Sequence, residues 1–316
     1  MKFLIATEKP FAPAAVKQIS EIIENAGHKT VLLEKYTDKK DLLNAVQNVD
    51  AMIVRSDIVD KEVLDAAKNL KIVVRAGAGY DNIDTATATA NGVCVMNTPG
   101  QNSNAVAEMV FGMLLYLTRS GFDGTIGSEL KGKKLGLHAF GNIGKLTAKI
   151  ANGFGMEVFA FSPSLARNPE RGKEFNVTAV QTPEELYEKS DIISLHMPKN
   201  EHTKESVNYH LLSKLPQNGI VINTARKEVM NEADLLRIMQ ERPKFRYGTD
   251  IRLSAHDEAT EKFGNRYLAS IKKCGAQTAE ANINAGLAAA TQIVKFFADG
   301  DETFRVNPKV LEDISI

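Results

Sequence analysis

The stretch from Lys133 to Ser162, KKLGLHAFGNIGKLTAKIANGFGMEVFAFS, limits the folds open to this chain more than any other. An apolar run through Leu135, Leu137, Ala139 and Phe140 ends in a glycine turn. Ile143, Leu146 and Ile150 then recur at helical spacing, Gly153 and Gly155 close the helix, and Val158 to Phe161 form a second apolar run. Strand, turn, helix and strand within about 30 residues make a βαβ unit, which requires a parallel sheet covered by helices. The turn Ala139-Phe140-Gly141-Asn142-Ile143-Gly144 has the spacing G-x-G-x-x-G with its first glycine replaced by alanine. Gly141 lets the backbone approach a pyrophosphate, and Gly144 lets the helix pack close to the strand. The free N–H groups at the helix start then face the phosphates. The spacing therefore points to a dinucleotide, with contacts expected from Phe140, Gly141, Asn142, Ile143 and Gly144.

The same alternation fills the rest of the chain. Before residue 100, apolar runs at Phe3–Ala6, Thr30–Leu33, Ala51–Val54, Ile72–Val74 and Val93–Met96 are separated by segments of helical period. Residues 120–132 read as a glycine-rich loop after a long apolar-striped helix through Val106, Val110 and Leu117. Beyond the βαβ unit, runs at Ile192–Leu195, Ile220–Ile222 and Phe245–Gly248 continue the pattern, and 251–270 reads as polar and irregular with a helix near 257–263. A last helix runs from Ala279 to Phe297, with the tail Phe304–Ile316 after it. The fold class is α/β, with two doubly wound parallel-sheet domains, and ligands of such sheets gather at the carboxyl ends of strands. Arg55, Arg75 and the turn Arg75-Ala76-Gly77-Ala78-Gly79 stand at those ends.

Charge is balanced, with 39 basic and 39 acidic residues, so no nucleic acid or other polyanion is expected as a partner. Two cysteines, Cys94 and Cys274, do not make a disulfide framework. No apolar run reaches the roughly 18 residues of a membrane span, and MKFLIATEKP reads as a strand rather than a signal peptide. A cytoplasmic protein is expected, with no membrane partner and no metal.

Several motifs occur in one order: VVRAGAGYDNID (73–84), NTPGQNSNAVAE (97–108), KGKKLGLHAFGNIG (131–144), SDIISLHMP (190–198), NTAR (223–226), GTD (248–250) and GAQTAEA (275–281). Together they make the chain resemble the D-isomer-specific 2-hydroxyacid dehydrogenases over almost its whole length. The resemblance implies a Rossmann-type cofactor domain, 99–283, inserted in a flavodoxin-like substrate domain, 1–98 and 284–316. It also implies an active site in the cleft between them and a homodimer. By the same resemblance Arg226 holds the substrate carboxylate and polarises its carbonyl, a role suited to a planar, permanently charged guanidinium.

The chain departs from the usual family pattern at two positions. Lys273 stands where most members carry the catalytic histidine, and none of the six histidines aligns there. Ala255 stands where the catalytic glutamate is usual, five residues past Asp250. The changes are consistent with each other. A carboxylate makes a histidine a better base near neutrality, whereas a lysine begins near about 10.4 and must be lowered to act. With the glutamate gone and Arg226 and Lys272 close by, Lys273 is expected to exchange the proton with the substrate oxygen. Asp257 and Glu258 lie near in sequence, but the alignment does not put either in the glutamate's place.

Arg226 serves one carboxylate, so Arg55 and Arg75 suggest a second anion such as a phosphate. The loop residues Ala76, Gly77 and Ala78 are expected to bind the carboxylate through backbone N–H groups, with Asn102 close to the substrate. This pattern resembles the short, lysine-type subgroup of phosphoglycerate dehydrogenases, which implies oxidation of 3-phosphoglycerate in serine biosynthesis. Alternatives are an NADPH-dependent glyoxylate or 2-oxo acid reductase, and a non-enzymatic sensor of NAD(H). NAD is the expected cofactor. Ser162 replaces the usual acidic residue at the ribose, which leaves NADP open, with Arg167 within reach of a 2′-phosphate. The resemblance further implies cofactor contacts from His196, Pro198, Thr203, Thr224, Ala225 and Asp250.

Overall fold

The computed structural model describes residues 1–309, and counts below refer to these. The chain divides into two compact units. One comprises Met1–Asn102 with the segment from Gln277 onward, and the other comprises Ser103–Ala276. The divisions between the units fall at 102/103 and 276/277.

The first unit runs β1 (Lys2–Thr7), α1 (Pro13–Asn25), β2 (Lys29–Glu34), α2 (Lys39–Ala45), β3 (Ala51–Val54), α3 (Lys61–Ala66), β4 (Ile72–Arg75), α4 (Thr85–Ala90) and β5 (Cys94–Asn97). Its five strands are parallel in the order β2-β1-β3-β4-β5, the flavodoxin-like order. Successive strand residues point to opposite faces. Leu4 and Ala6 enter one core while Phe3 and Ile5 enter another, so each face of the sheet has its own apolar layer.

The second unit runs α5 (Ser103–Thr118), β6 (Lys134–His138), α6 (Asn142–Gly153), β7 (Glu157–Phe161), α7 (Pro163–Arg167), β8 (Thr178–Ala179), α8 (Pro183–Glu188), β9 (Ile192–Leu195), α9 (Tyr209–Lys214), β10 (Ile220–Asn223), α10 (Glu232–Glu241), β11 (Arg246–Thr249), α11 (His256–Phe263) and β12 (Tyr267–Ala269). Its seven parallel strands lie in the order β12-β11-β10-β9-β6-β7-β8. The order reverses between β6 and β9, which is the switch point where such sheets bind ligands. Val221 points to one core and Ile220 and Ile222 to the other, again a two-faced sheet.

A last helix, α12 (Ala279–Asp299), belongs to the first unit and packs on α1. The strap after it pairs with the edge strand β5. Arg305 bridges Met96, and the Val306 N–H donates to the Val95 carbonyl at 2.8 Å. The buried Asn307 side chain accepts from the Val95 N–H and donates to Val93 O and Thr89 Oγ1. Residues 310–316 of the expected tail lie outside the described residues.

Some short elements were not legible beforehand. The stretch 251–270, read as irregular, contains β12, whose three residues pair with β11 while Tyr267 stacks on Tyr247. The sequence TATATA forms α4 because Asp84 caps it, accepting from the Thr87 N–H at 2.9 Å. No helix among the described residues is long and apolar enough to cross a membrane.

Candidate active site

The glycine turn sits between β6 and α6, at the switch point. Gly141 is the N-cap of α6 and supplies no side-chain acceptor, so the first N–H groups of the helix face outward. A Cβ on Gly141 would meet nothing within 4 Å, whereas one on Gly144 would stand 2.6 Å from the Ala139 carbonyl oxygen. The first glycine therefore leaves an open cradle and the second permits close packing. Ala139, where a glycine is usual, still adopts φ 88°, a conformation that costs an L-residue roughly 1–2 kcal/mol.

The turn opens into a cavity of about 610 Å³, a size suited to a small ligand or part of a cofactor. Phe140, Gly141, Ser162, Pro198 and Thr203 line it. Asn142 is exposed and Ile143 half-buried on the first turn of α6. The Thr203 hydroxyl donates to the Pro198 carbonyl at 2.6 Å and accepts from the Asn200 N–H, which shapes the cavity wall. His196 is not among the lining residues. Its two ring nitrogens are buried with no hydrogen-bond partner among the described residues. Burial, with the nearby His138, lowers its pKa to about 3. His138 ends β6, lies 3.2 Å from the Tyr187 hydroxyl through Nδ1, and is lowered to about 4 by burial.

A second cluster lies at the ends of β10 and β11. The Asn223 side chain accepts from the Ala225 N–H and donates to the Arg226 carbonyl, fixing the turn that presents the half-buried Arg226. Thr224 and Ala225 are buried in that turn, and Thr224 Oγ1 has no partner among the described residues. Asp250 follows β11. Its Oδ2 accepts from the Gly275 N–H at 2.9 Å, while Oδ1 is buried with no partner among the described residues. Burial raises the Asp250 pKa, opposed by the Gly275 bond and by the charges of Lys273 and Arg226. The structure thus brings Arg226 and Lys273 each within electrostatic reach of Asp250. Lys273 is exposed, on a segment also pinned by Ser270 Oγ, which donates to the Asp250 and Lys272 carbonyls.

Ala255 is the N-cap of α11, Asp257 and Glu258 are exposed on its first turn, and Glu258 pairs with Lys262 at 2.7 Å.

In the first unit the expected anion site is reorganised. Arg55 Nη1 donates to the Lys9 and Pro10 carbonyls, Nη2 donates to Asn282 Oδ1 at 2.6 Å, and the guanidinium lies over Phe11. These bonds make Arg55 a strut between the β1–α1 loop and α12. Its own carbonyl accepts from Arg75 Nε at 2.9 Å. The Arg75 guanidinium occupies the space a side chain on Gly77 would need, and Gly77 has φ 149°. The Ala76 and Gly77 N–H groups, expected to bind a carboxylate, donate to the Val54 and Arg75 carbonyls instead. Ala78 is exposed, its carbonyl accepting from Asn97 Nδ2 at 2.5 Å, and Asn102 is half-buried.

Sequence spacing did not single out Ser164, Glu184, His202, Asn208 or His210, which also line the cavity. They reach it from α7, α8, α9 and the loop after β9, so only the packing of those elements reveals them.

A dinucleotide fits these residues. The open cradle at Gly141 and the uncapped start of α6 suit its phosphates, and the orphaned Asp250 Oδ1 suits an amide donor.

The chain is similar, at 44% identity and a TM-score of 0.87, to the crystal structure of NAD+-bound 3-phosphoglycerate dehydrogenase from Entamoeba histolytica, covering 98% of this chain and 99% of that one. It is 32% identical to the hydroxypyruvate reductase of Thermotoga maritima over 88% of this chain and 94% of that protein. It is 33% identical to the D-3-phosphoglycerate dehydrogenase of Mycobacterium leprae over 81% of this chain, a match spanning 51% of that longer protein. The family model for the catalytic domain of D-isomer specific 2-hydroxyacid dehydrogenases matches residues 5–307, so the chain belongs to that family.

Proposed function

We propose that this chain oxidises D-3-phosphoglycerate to 3-phosphohydroxypyruvate with NAD, in serine biosynthesis. The observation that carries the chemistry is the grouping of Arg226 and Lys273 around Asp250 at adjacent strand ends. Arg226 binds the substrate carboxylate and draws electron density from the carbonyl in the reverse direction. In oxidation the Lys273 amine takes the proton of the C2 hydroxyl as the C–H bond breaks and the C=O bond forms. The chemistry that a bound nicotinamide supplies is acceptance of the C2 hydride. Phe140 to Gly144 would hold its phosphates, and Asp250 Oδ1 would accept from its carboxamide.

Arg75 is the residue we assign to the substrate phosphate, with Arg55 as its support through the Arg55 carbonyl. The likeness to the Entamoeba phosphoglycerate dehydrogenase supports a phosphorylated substrate. The likeness to a hydroxypyruvate reductase favours a second reading, in which the same groups reduce an unphosphorylated 2-oxo acid. We further infer a homodimer, which sedimentation velocity tests.

Steady-state kcat/KM for 3-phosphohydroxypyruvate, hydroxypyruvate and glyoxylate separates the two substrate readings. The proposal expects the phosphorylated substrate to lead by about 100-fold or more, the value of a charge-assisted phosphate contact. Equal or better turnover of hydroxypyruvate or glyoxylate overturns it.

A further inference from the structure

We propose that Glu184 makes the cavity select NAD over NADP, a role that a carboxylate at the end of β7 fills where one is present. The proposal rests on the dinucleotide reading above. The residue at the end of β7 is Ser162, and its hydroxyl is buried and committed. It accepts the Leu165 N–H at 3.2 Å as the N-cap of α7 and lies 3.3 Å from Ser164 Oγ. A neutral, engaged hydroxyl neither repels a 2′-phosphate nor neutralises one.

The charge on the cavity wall comes from elsewhere. Among the lining residues Glu184 is the sole Asp, Glu, Lys or Arg. It stands on the first turn of α8, a helix that packs on β6 and β7 and whose start is fixed by the Thr182 cap and Pro183. The neighbouring His210 Nε2 lies 3.9 Å from Glu184 Oε1. Arg167, expected to reach a 2′-phosphate, is exposed at the end of α7 and does not line the cavity.

A 2′-phosphate adds close to two negative charges to the adenosine ribose. The residues lining this cavity offer it one carboxylate and no lysine or arginine, and like charges repel. A ribose hydroxyl carries no such penalty.

Isothermal titration of NADH and NADPH into the wild-type protein, Glu184→Gln and Glu184→Arg tests this at pH 8 and low salt. That pH lies above the ordinary imidazole range. The wild type is expected to bind NADH at least about tenfold more tightly than NADPH. Glu184→Gln should leave the NADH Kd within about twofold and tighten NADPH by roughly tenfold, and Glu184→Arg should tighten it further. Wild-type binding of NADPH as tight as that of NADH overturns the proposal. So does an NADH/NADPH ratio unchanged in both variants. Failure of the wild type to bind either nucleotide overturns the dinucleotide reading as well, and is distinguishable from an unchanged ratio.

Discussion

Asp250 Oδ2 accepts the Gly275 N–H at 2.9 Å, and a Cβ on Gly275 would stand 2.6 Å from the same oxygen. The contact ties the segment carrying Lys273 to the end of β11, and a side chain at position 275 would have to displace the Asp250 carboxylate or the segment. Gly275→Ala is expected to push that segment outward. A displacement of about 1 Å costs on the order of 100-fold in rate, with a smaller effect on stability because Ile271, Lys272 and Lys273 are exposed. Parallel kcat and thermal-melting measurements check this, and an unchanged kcat contradicts it.

Ala139 holds a backbone conformation that glycine adopts freely, with φ 88°. Ala139→Gly should therefore raise stability by up to about 1 kcal/mol, the relief of strain exceeding the entropy glycine adds to the unfolded chain. Gly144→Ala should do the reverse, because its Cβ would meet the Ala139 carbonyl at 2.6 Å. A loss of about 1–3 kcal/mol and weaker NADH binding are expected. Chemical denaturation with a nucleotide titration tests both variants.

His138 and His196 give the fold an acid-sensitive window. Burial lowers their pKa values to about 4 and about 3, against about 6.5 in an unfolded chain. Above pH 6.5 both are neutral folded and unfolded, and no penalty arises. As pH falls from 6.5 toward 4 the unfolded chain takes protons that the folded chain refuses, so stability falls. For the almost fully buried His138 the loss approaches about 3 kcal/mol at pH 4. Melting temperature should fall steadily from pH 7 to 4.5, above the range where carboxylates protonate. His138→Gln should flatten the slope, and a flat wild-type profile contradicts this.

Arg55 and Arg75 should separate in their effects. Arg75→Ala is expected to raise KM for the phosphorylated substrate by about tenfold or more, with little effect on unphosphorylated 2-oxo acids. Arg55→Ala removes the bonds to Lys9, Pro10 and Asn282 and should lower the melting temperature instead. Equal selectivity of wild type and Arg75→Ala would remove Arg75 from the phosphate site.

Much of the fold was legible because long apolar runs fill both faces of buried parallel strands, as in Ile192–Leu195 and Ala51–Val54. The glycine turn was legible because its spacing is a local steric requirement. The three-residue strand β12 and the TATATA helix carry too little pattern to read, and pairing with β11 and the Asp84 cap create them. Glu184 and His210 meet through the packing of α8 and α9, so no sequence interval announces them. Arg55 shows the opposite failure. A cation at a strand end reads as an anion ligand until Asn282, 227 residues away, is seen to take its donor.

The proposed role of Lys273 is to exchange the proton with the substrate oxygen. Its most direct test is turnover of Lys273→Ala with and without added primary amines of graded basicity. In Lys273→Ala, kcat is expected to fall by about 100-fold or more, with partial recovery that grows with amine basicity while NADH binding stays unchanged. Turnover of Lys273→Ala within a few-fold of wild type, with no response to amines, would contradict it.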